Sequence, residues 1–223
     1  MTRETSAETV NVYPHVHHEH AHPHPRQPDV EDGPFKYYQV MAEAVGELLI
    51  EKGVFDADDL RRALEFIDAR SPALGARVVA RAWVDPAFKA RLLEDVNAAA
   101  QELGIDAGPI PIRAVDNTES VHNVIVCTLC SCYPKGLLGL PPDWYKSRAY
   151  RSRTVREPRA VLAEFGTHLP AEVEVRVHDS TADLRYMVLP LRPADTDALS
   201  EEQLAALVTR DCMIGTAVPK PQG

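Results

Sequence analysis

Apolar positions along this chain recur with a helical period up to about residue 110 and with a strand-like period in much of the remainder. Residues 35–53, 56–69 and 74–83 place apolar side chains at helical spacing, with Leu48, Leu49 and Ile50 building one face. Asp85-Pro86 predicts a fourth helix, because Asp caps an N-terminus and Pro fits the first turn. That helix is expected to run to about Leu103 and stop at Gly104. Beyond Ile110, residues 112–115, 124–126 and 185–189 read as strands, and Val173-Glu-Val-Arg-Val177 alternates as a half-buried strand does. Residues 141–150 and 158–165 read as helices, and Ser200-Glu-Glu-Gln203 is a capping box opening a last one. The pattern predicts an α+β protein in which an N-terminal helical arm (35–105) precedes an α/β layered core (106–219), with no internal repeat. The arm reads either as an extension that packs on a partner chain or as an ordinary helical subdomain, since amphipathicity alone fits both.

Residues 1–34 have a different composition. His15, His17, His18, His20, His22 and His24 alternate with Pro, Glu, Val and Ala, and Pro14, Pro23, Pro25 and Pro28 oppose regular structure. A disordered tail is expected there. Clustered imidazoles bind divalent metals loosely, so this tail is either a metal-collecting arm or a solubilising one.

Composition narrows the class of protein. The chain has 223 residues, 45% of them hydrophobic, which permits one or two domains with a real core. A net charge of -9 argues against a general nucleic-acid binder, whose affinity comes from neutralising phosphates. No run of about 18 apolar residues marks a membrane span, and no apolar leader segment marks secretion. A cytoplasmic location is expected, where thiols stay reduced.

Thiols carry the chemistry. Three of the four cysteines fall in Cys127-Thr128-Leu129-Cys130-Ser131-Cys132, and the fourth is Cys212. In Cys130-Ser131-Cys132 two thiolates flank two backbone amides, those of Ser131 and Cys132. If all four atoms bind one ion, the chelate rings have five or six members and are unstrained. Cys127 then supplies an axial thiolate, and a sixth position stays open. Amides ionise only under a strongly polarising ion, and soft thiolates favour transition metals, so trivalent cobalt or iron fits. Zinc is the alternative metal, but its structural sites use four side-chain donors, commonly two Cys pairs. Cys212 or His122 could complete such a set, although each reads more simply as a core residue. A zinc-stabilised, non-catalytic interaction subunit therefore remains open at this point.

The same residues carry a family resemblance. Cys127–Cys132, preceded by Val121-His-Asn-Val-Ile-Val126 and followed by Tyr133-Pro134, resembles the metal-binding segment of nitrile hydratase alpha subunits. Leu138-Gly-Leu-Pro-Pro-Asp-Trp-Tyr-Lys-Ser147, Tyr150-Arg-Ser-Arg153, Arg185-Tyr-Met-Val-Leu-Pro190 and Leu207-Val-Thr-Arg-Asp211 extend it over about residues 37 to 219. The resemblance implies a hydro-lyase that converts nitriles to amides at a non-corrin Co(III), one per alpha subunit, with Fe(III) as second choice. Thr128 and Tyr133 resemble the cobalt branch. It implies Cys127, Cys130, Ser131 and Cys132 as metal ligands, with Cys130, Ser131 and Cys132 at the catalytic face. Cys130 would be oxidised to sulfinic acid and Cys132 to sulfenic acid. It implies a beta subunit, in a heterodimer or heterotetramer, whose arginines complete the site, and a metal-loading activator protein. One departure stands out: Lys135 occupies the place where the family carries a pocket tryptophan. The related thiocyanate hydrolase gamma subunit is basic there, so Lys135 is a candidate substrate-pocket residue and thiocyanate an alternative substrate. The run Arg148, Arg151, Arg153, Arg156, Arg159 is either a contact or anion field or a solvated face.

Overall fold

A computed structural model describes residues 37–220. The His- and Pro-rich segment at 1–34 and the first residues of the leading helix lie outside the described residues. Helices α1 (Tyr37–Glu51) and α2 (Ala57–Asp68) come first. A reciprocal capping box starts α2: Asp56 accepts from the Asp59 N–H, and Asp59 accepts from the Asp56 N–H. Nothing on α2 is buried. Leu60, Leu64 and Ile67 lie on one exposed stripe, and neither α1 nor α2 packs extensively on another described element.

Burial begins with α3 (Pro72–Val84), whose Val78, Val79 and Ala80 are fully enclosed. The continuous helix expected over 85–103 is two helices, α4 (Pro86–Glu94) and α5 (Val96–Glu102). Asp95 breaks it: its backbone is extended and its carboxylate accepts from the Ala98 N–H, capping a new helix. Phe88 and Leu92 of α4 join α3 in the main core, so 72–102 packs with the strands.

Among the described residues, four strands form two separate parallel ladders. β1 (Ile112–Asp116) pairs with β4 (Arg185–Leu189), and β2 (Val121–Val126) pairs with β3 (Glu174–Asp179). β2 extends three residues earlier than its apolar run suggests, because His122 and Asn123 are buried with satisfied polar groups. Asn123 donates from Nδ2 to the Asp116 carbonyl and to Asn117 Oδ1, and His178 of β3 reaches Asn123 Oδ1 at 2.8 Å. His122 donates from Nε2 to the Gly215 carbonyl at 2.7 Å. These bonds tie the two ladders together where apolar packing alone would let them slide.

Helices α6 (Lys135–Leu138), α7 (Asp143–Lys146), α8 (Arg148–Arg156) and α9 (Pro158–Glu164) fill the connection from β2 to β3. The single helix expected over 141–150 is interrupted at Ser147, which is extended and accepts from the Tyr150 N–H, starting α8 afresh. Trp144, Tyr145, Tyr150 and Phe165 stack into one aromatic cluster, with Trp144 and Phe165 centroids 4.6 Å apart. The chain ends in α10 (Glu201–Ala206), opened by the expected Ser200/Gln203 capping box, and α11 (Arg210–Ile214). Gly215 closes α11 in a left-handed conformation, its Cα against the backbone of β2. Among the described residues, no helix is long and apolar enough to cross a membrane.

Burial holds both histidines of the polar knot below their ordinary range, and the Arg176 charge adds to this at His178. At His122 the Gly215 carbonyl pulls the other way and loses. A histidine with a lowered folded pKa favours the fold while neutral. The unfolded chain takes up protons first, so stability is full above about pH 6.5 and falls as pH drops further. Thermal unfolding between about pH 7.5 and pH 5.5 should show a falling midpoint. The fall should be shallower in His122→Gln; an unchanged slope would contradict this origin.

Candidate metal centre

The loop after β2 carries the thiols, and each part of it is held from a different element. The Tyr150 hydroxyl donates to the Ile125 carbonyl at 2.7 Å, and the Ser180 N–H donates to the Val126 carbonyl. Together they fix the end of β2, so Cys127 emerges fully buried. Asp179, the last residue of β3, accepts from the Thr128 N–H at 2.9 Å and from its hydroxyl at 2.5 Å. Arg151 donates to the Leu129 carbonyl, and Tyr145 donates to the Cys132 carbonyl at 2.9 Å. The parallel register that sets Val126 opposite Asp179 puts that carboxylate at the start of the loop.

Clamped in this way, the chain folds back on itself. The Cys130 sulfur lies 3.5 Å from that of Cys127 and 3.2 Å from that of Cys132, and all three are within 4.8 Å of one another. The Cys130 thiol is held below its ordinary range by hydrogen bonds from Cys132 and Cys127, and further by the N–H groups of Ser131 and Cys132. Cys132 is pushed up to about 12, first by burial and then by its two sulfur neighbours. One thiolate is thus favoured and a second resisted; a bound cation would favour the deprotonated form of both.

Three soft sulfurs in mutual reach, with the Ser131 and Cys132 N–H groups next to the Cys130 sulfur, fit one transition-metal ion of high charge. Among the described residues the cluster contains these three side chains and no fourth. Cys212 is buried in α11, with its sulfur 3.2 Å from the Thr209 hydroxyl. His122 is occupied by the polar knot. Neither reaches the thiols, and a four-ligand zinc set from side chains is not assembled.

A cleft of about 360 Å3 opens on the Cys130-Ser131-Cys132 side. Lys135, exposed at the start of α6, lines it together with Arg70 and Arg185. Gly136 also lines it, packed so closely on Ala107 that a Cβ there would lie 2.2 Å from the Ala107 carbonyl oxygen. Arg70 comes from the link between α2 and α3, a placement with no signal in the local sequence. The arginine run after the loop divides its work: Arg153 pairs with Glu157 and Glu164, Arg159 donates to carbonyls of residues 169–173, and Arg151 braces Leu129. Trp144 and Tyr145 are core residues.

A braced loop that gathers three thiols within 4.8 Å of one another characterises a metal-binding protein. Comparison with known proteins places it more narrowly. Residues 36–217 match the family model described as nitrile hydratase, alpha chain. The chain is 52% identical to the low-molecular weight cobalt-containing nitrile hydratase subunit alpha of Rhodococcus rhodochrous, over 79% of this chain and 86% of that one. A recombinant thiocyanate hydrolase comprising partially modified cobalt centres superposes with a TM-score of 0.78 at 44% identity, covering 84% of this chain and 92% of that one. An Fe-type nitrile hydratase double mutant from Comamonas testosteroni Ni1 superposes with a TM-score of 0.75 at 43% identity, covering 82% and 90%. The chain belongs to the nitrile hydratase alpha-chain family.

Proposed function

We propose that this chain is the metal-bearing alpha subunit of a cobalt nitrile hydratase and hydrates nitriles to amides. The observation that carries the reading is the convergence of three sulfurs in the loop after β2. The sulfurs of Cys127, Cys130 and Cys132, with the backbone amides of Ser131 and Cys132, would hold the ion. Cobalt so bound would supply Lewis acidity to the nitrile nitrogen and make its carbon electrophilic. Oxygenated Cys130 and Cys132 would present polar oxygens to the cleft. The nucleophile is the Cys132 sulfenate oxygen or a water that it orients. The water oxygen bonds to the nitrile carbon and its two protons end on nitrogen, giving the amide.

A beta subunit, in a heterodimer or heterotetramer, completes the site, and an activator protein inserts the metal in the cytoplasm, where thiols stay reduced. Elemental analysis of the assembled complex, with an amide-formation assay on a simple nitrile, tests the reading. About one cobalt per chain with amide formation supports it. Stoichiometric zinc with no turnover would sink it. Thiocyanate hydrolysis to carbonyl sulfide and ammonia is the second reading, favoured by Lys135 in the cleft wall. Parallel kinetics with a nitrile and thiocyanate separate the two.

Asp179 holds the loop without being a ligand. Asp179→Asn keeps the shape but gives up the charge-assisted acceptor for the Thr128 hydroxyl and N–H. The expected result is a loss of about 10–100-fold in cobalt affinity or turnover. It is read by competition with a chelator and by steady-state kinetics, and an unchanged enzyme would show the clamp to be dispensable.

A further inference from the structure

We propose that the cleft beside the thiol loop carries a carboxylate-binding end, built by Arg70 and Lys135, which selects nitriles bearing a small carboxylate. The inference rests on the nitrile-hydrating reading and adds the class of substrate. Among the described residues, three cations, Arg70, Lys135 and Arg185, line the cleft, and no carboxylate does. An apolar nitrile gains nothing from such a wall, whereas an anion is concentrated and oriented by it.

The three cations are placed differently. Arg185 lies on β4 and lines the cleft together with Cys132, and its Nη1 is buried without a hydrogen-bond partner among the described residues. It therefore belongs to the end of the cleft where the thiols are. Arg70 has a side chain only 22% exposed, with its guanidinium 4.5 Å from the Phe66 ring centroid. A guanidinium packed over a ring face can still turn its N–H edge to a planar anion. Its one ion pair among the described residues is a long one, 3.6 Å to Asp106, a carboxylate itself 68% exposed. Lys135 has no ion pair among the described residues and lies three positions after Cys132. Its Cα is thus within about 11 Å of that of Cys132, a span that a short nitrile carrying a terminal carboxylate bridges.

Size points the same way. At about 360 Å3 the cleft is far larger than a triatomic anion needs and falls in the range of pockets for small organic ligands. A molecule with its nitrile at the thiol loop and a carboxylate two carbons further on uses both ends.

The test compares 3-cyanopropanoate with its neutral isostere 4-methylpentanenitrile on the cobalt-loaded complex with its beta subunit. The ratio of kcat/KM for the anion over the isostere should exceed one at low salt. It should fall toward one as ionic strength rises to about 0.5 M, where charges are screened beyond a few ångströms. Arg70→Met and Lys135→Met should each lower the ratio about tenfold, the effect of one charge-assisted contact. Isothermal titration with 3-cyanopropanoate should show the same tenfold weakening, and it reads the anion site even if neither nitrile is turned over. A wild-type ratio at or below one while the neutral nitrile is hydrated overturns the proposal and leaves the hydratase reading standing. Turnover of thiocyanate with no binding of 3-cyanopropanoate also overturns it. Absence of any nitrile hydration, with the anion still bound through Arg70, would instead remove the hydratase reading and keep the anion site.

Discussion

The Cys130→Ala, Cys132→Ala double substitution should abolish cobalt binding and amide formation while leaving the fold in place. Two of the three proposed sulfur ligands are lost at once, so the two amides have no flanking thiolates to hold an ion against them. Activity should drop on the order of 1,000-fold or more, since a bound Lewis acid is worth several kcal/mol of barrier. Stability should barely move. Cys130 is exposed and Cys132 is half-buried, and the loop is braced through Thr128, Leu129 and the Cys132 carbonyl, none of which the substitution removes. Changes at such positions stay within about 0.5 kcal/mol. Elemental analysis and thermal unfolding of the metal-free subunit, taken together, check the claim. Full activity in the double variant would end both enzyme readings. Loss of the fold would show instead that the sulfurs hold the core.

Gly215→Ala should have the opposite profile, damaging the fold first and the site as a consequence. Gly215 sits at φ 92, where a side chain is strained, at a cost of roughly 1–2 kcal/mol. A Cβ there would lie 2.1 Å from the Asn123 carbonyl oxygen and 2.8 Å from the Val124 Cα. Both are backbone of a paired strand, so neither can swing aside. Relief requires α11 to move off β2, which breaks the His122 bond to the Gly215 carbonyl and leaves a buried imidazole without its acceptor. Overpacking of this kind costs about 1–3 kcal/mol, and the sum is a large part of a domain's stability. The measurement is the unfolding midpoint of the purified complex, expected to fall by about 10 °C. A shift within a degree or two would mean that the close approach is softer than drawn. Because β2 leads into Cys127, cobalt retention should decline as well.

How much of the molecule is legible in its sequence depends on the range of the contacts. The thiol cluster is legible because its donors are consecutive: covalent geometry nearly brings the Cys130 and Cys132 sulfurs together, and the fold adds Cys127. The Ser200–Gln203 box is legible for the same reason. The break at Asp95 is not, since apolar residues continue across it and only the cap reveals the new helix. Ser147 hides in the same way. Asp179 reaches Thr128 across 51 residues, and Tyr145 reaches Cys132 across 13. Such partners depend on strand register and on the aromatic cluster, which no local period encodes. Arg70 is the extreme case: a residue between two helices becomes part of a cleft wall some 60 residues downstream. Helix α11 leaves no mark because five residues make too few turns to show a period. His122, by contrast, reads as a satisfied core histidine, and its bond to Gly215 makes it one.

The pairing of β2 with β3 sets the order of events during synthesis. When Cys132 leaves the ribosome, Asp179 has not yet been made, and β2 has no neighbour on which to align. At roughly 5–20 residues per second the wait is on the order of seconds. Over that interval the three thiols belong to an unbraced stretch of chain, as open to stray copper, zinc or disulfide exchange as any other free cysteines. Only after the ladder closes does the Asp179 carboxylate draw Thr128 inward and give the loop its shape. The three sulfurs can therefore take their folded arrangement only once the chain has been made through Asp179 and β2 has found β3.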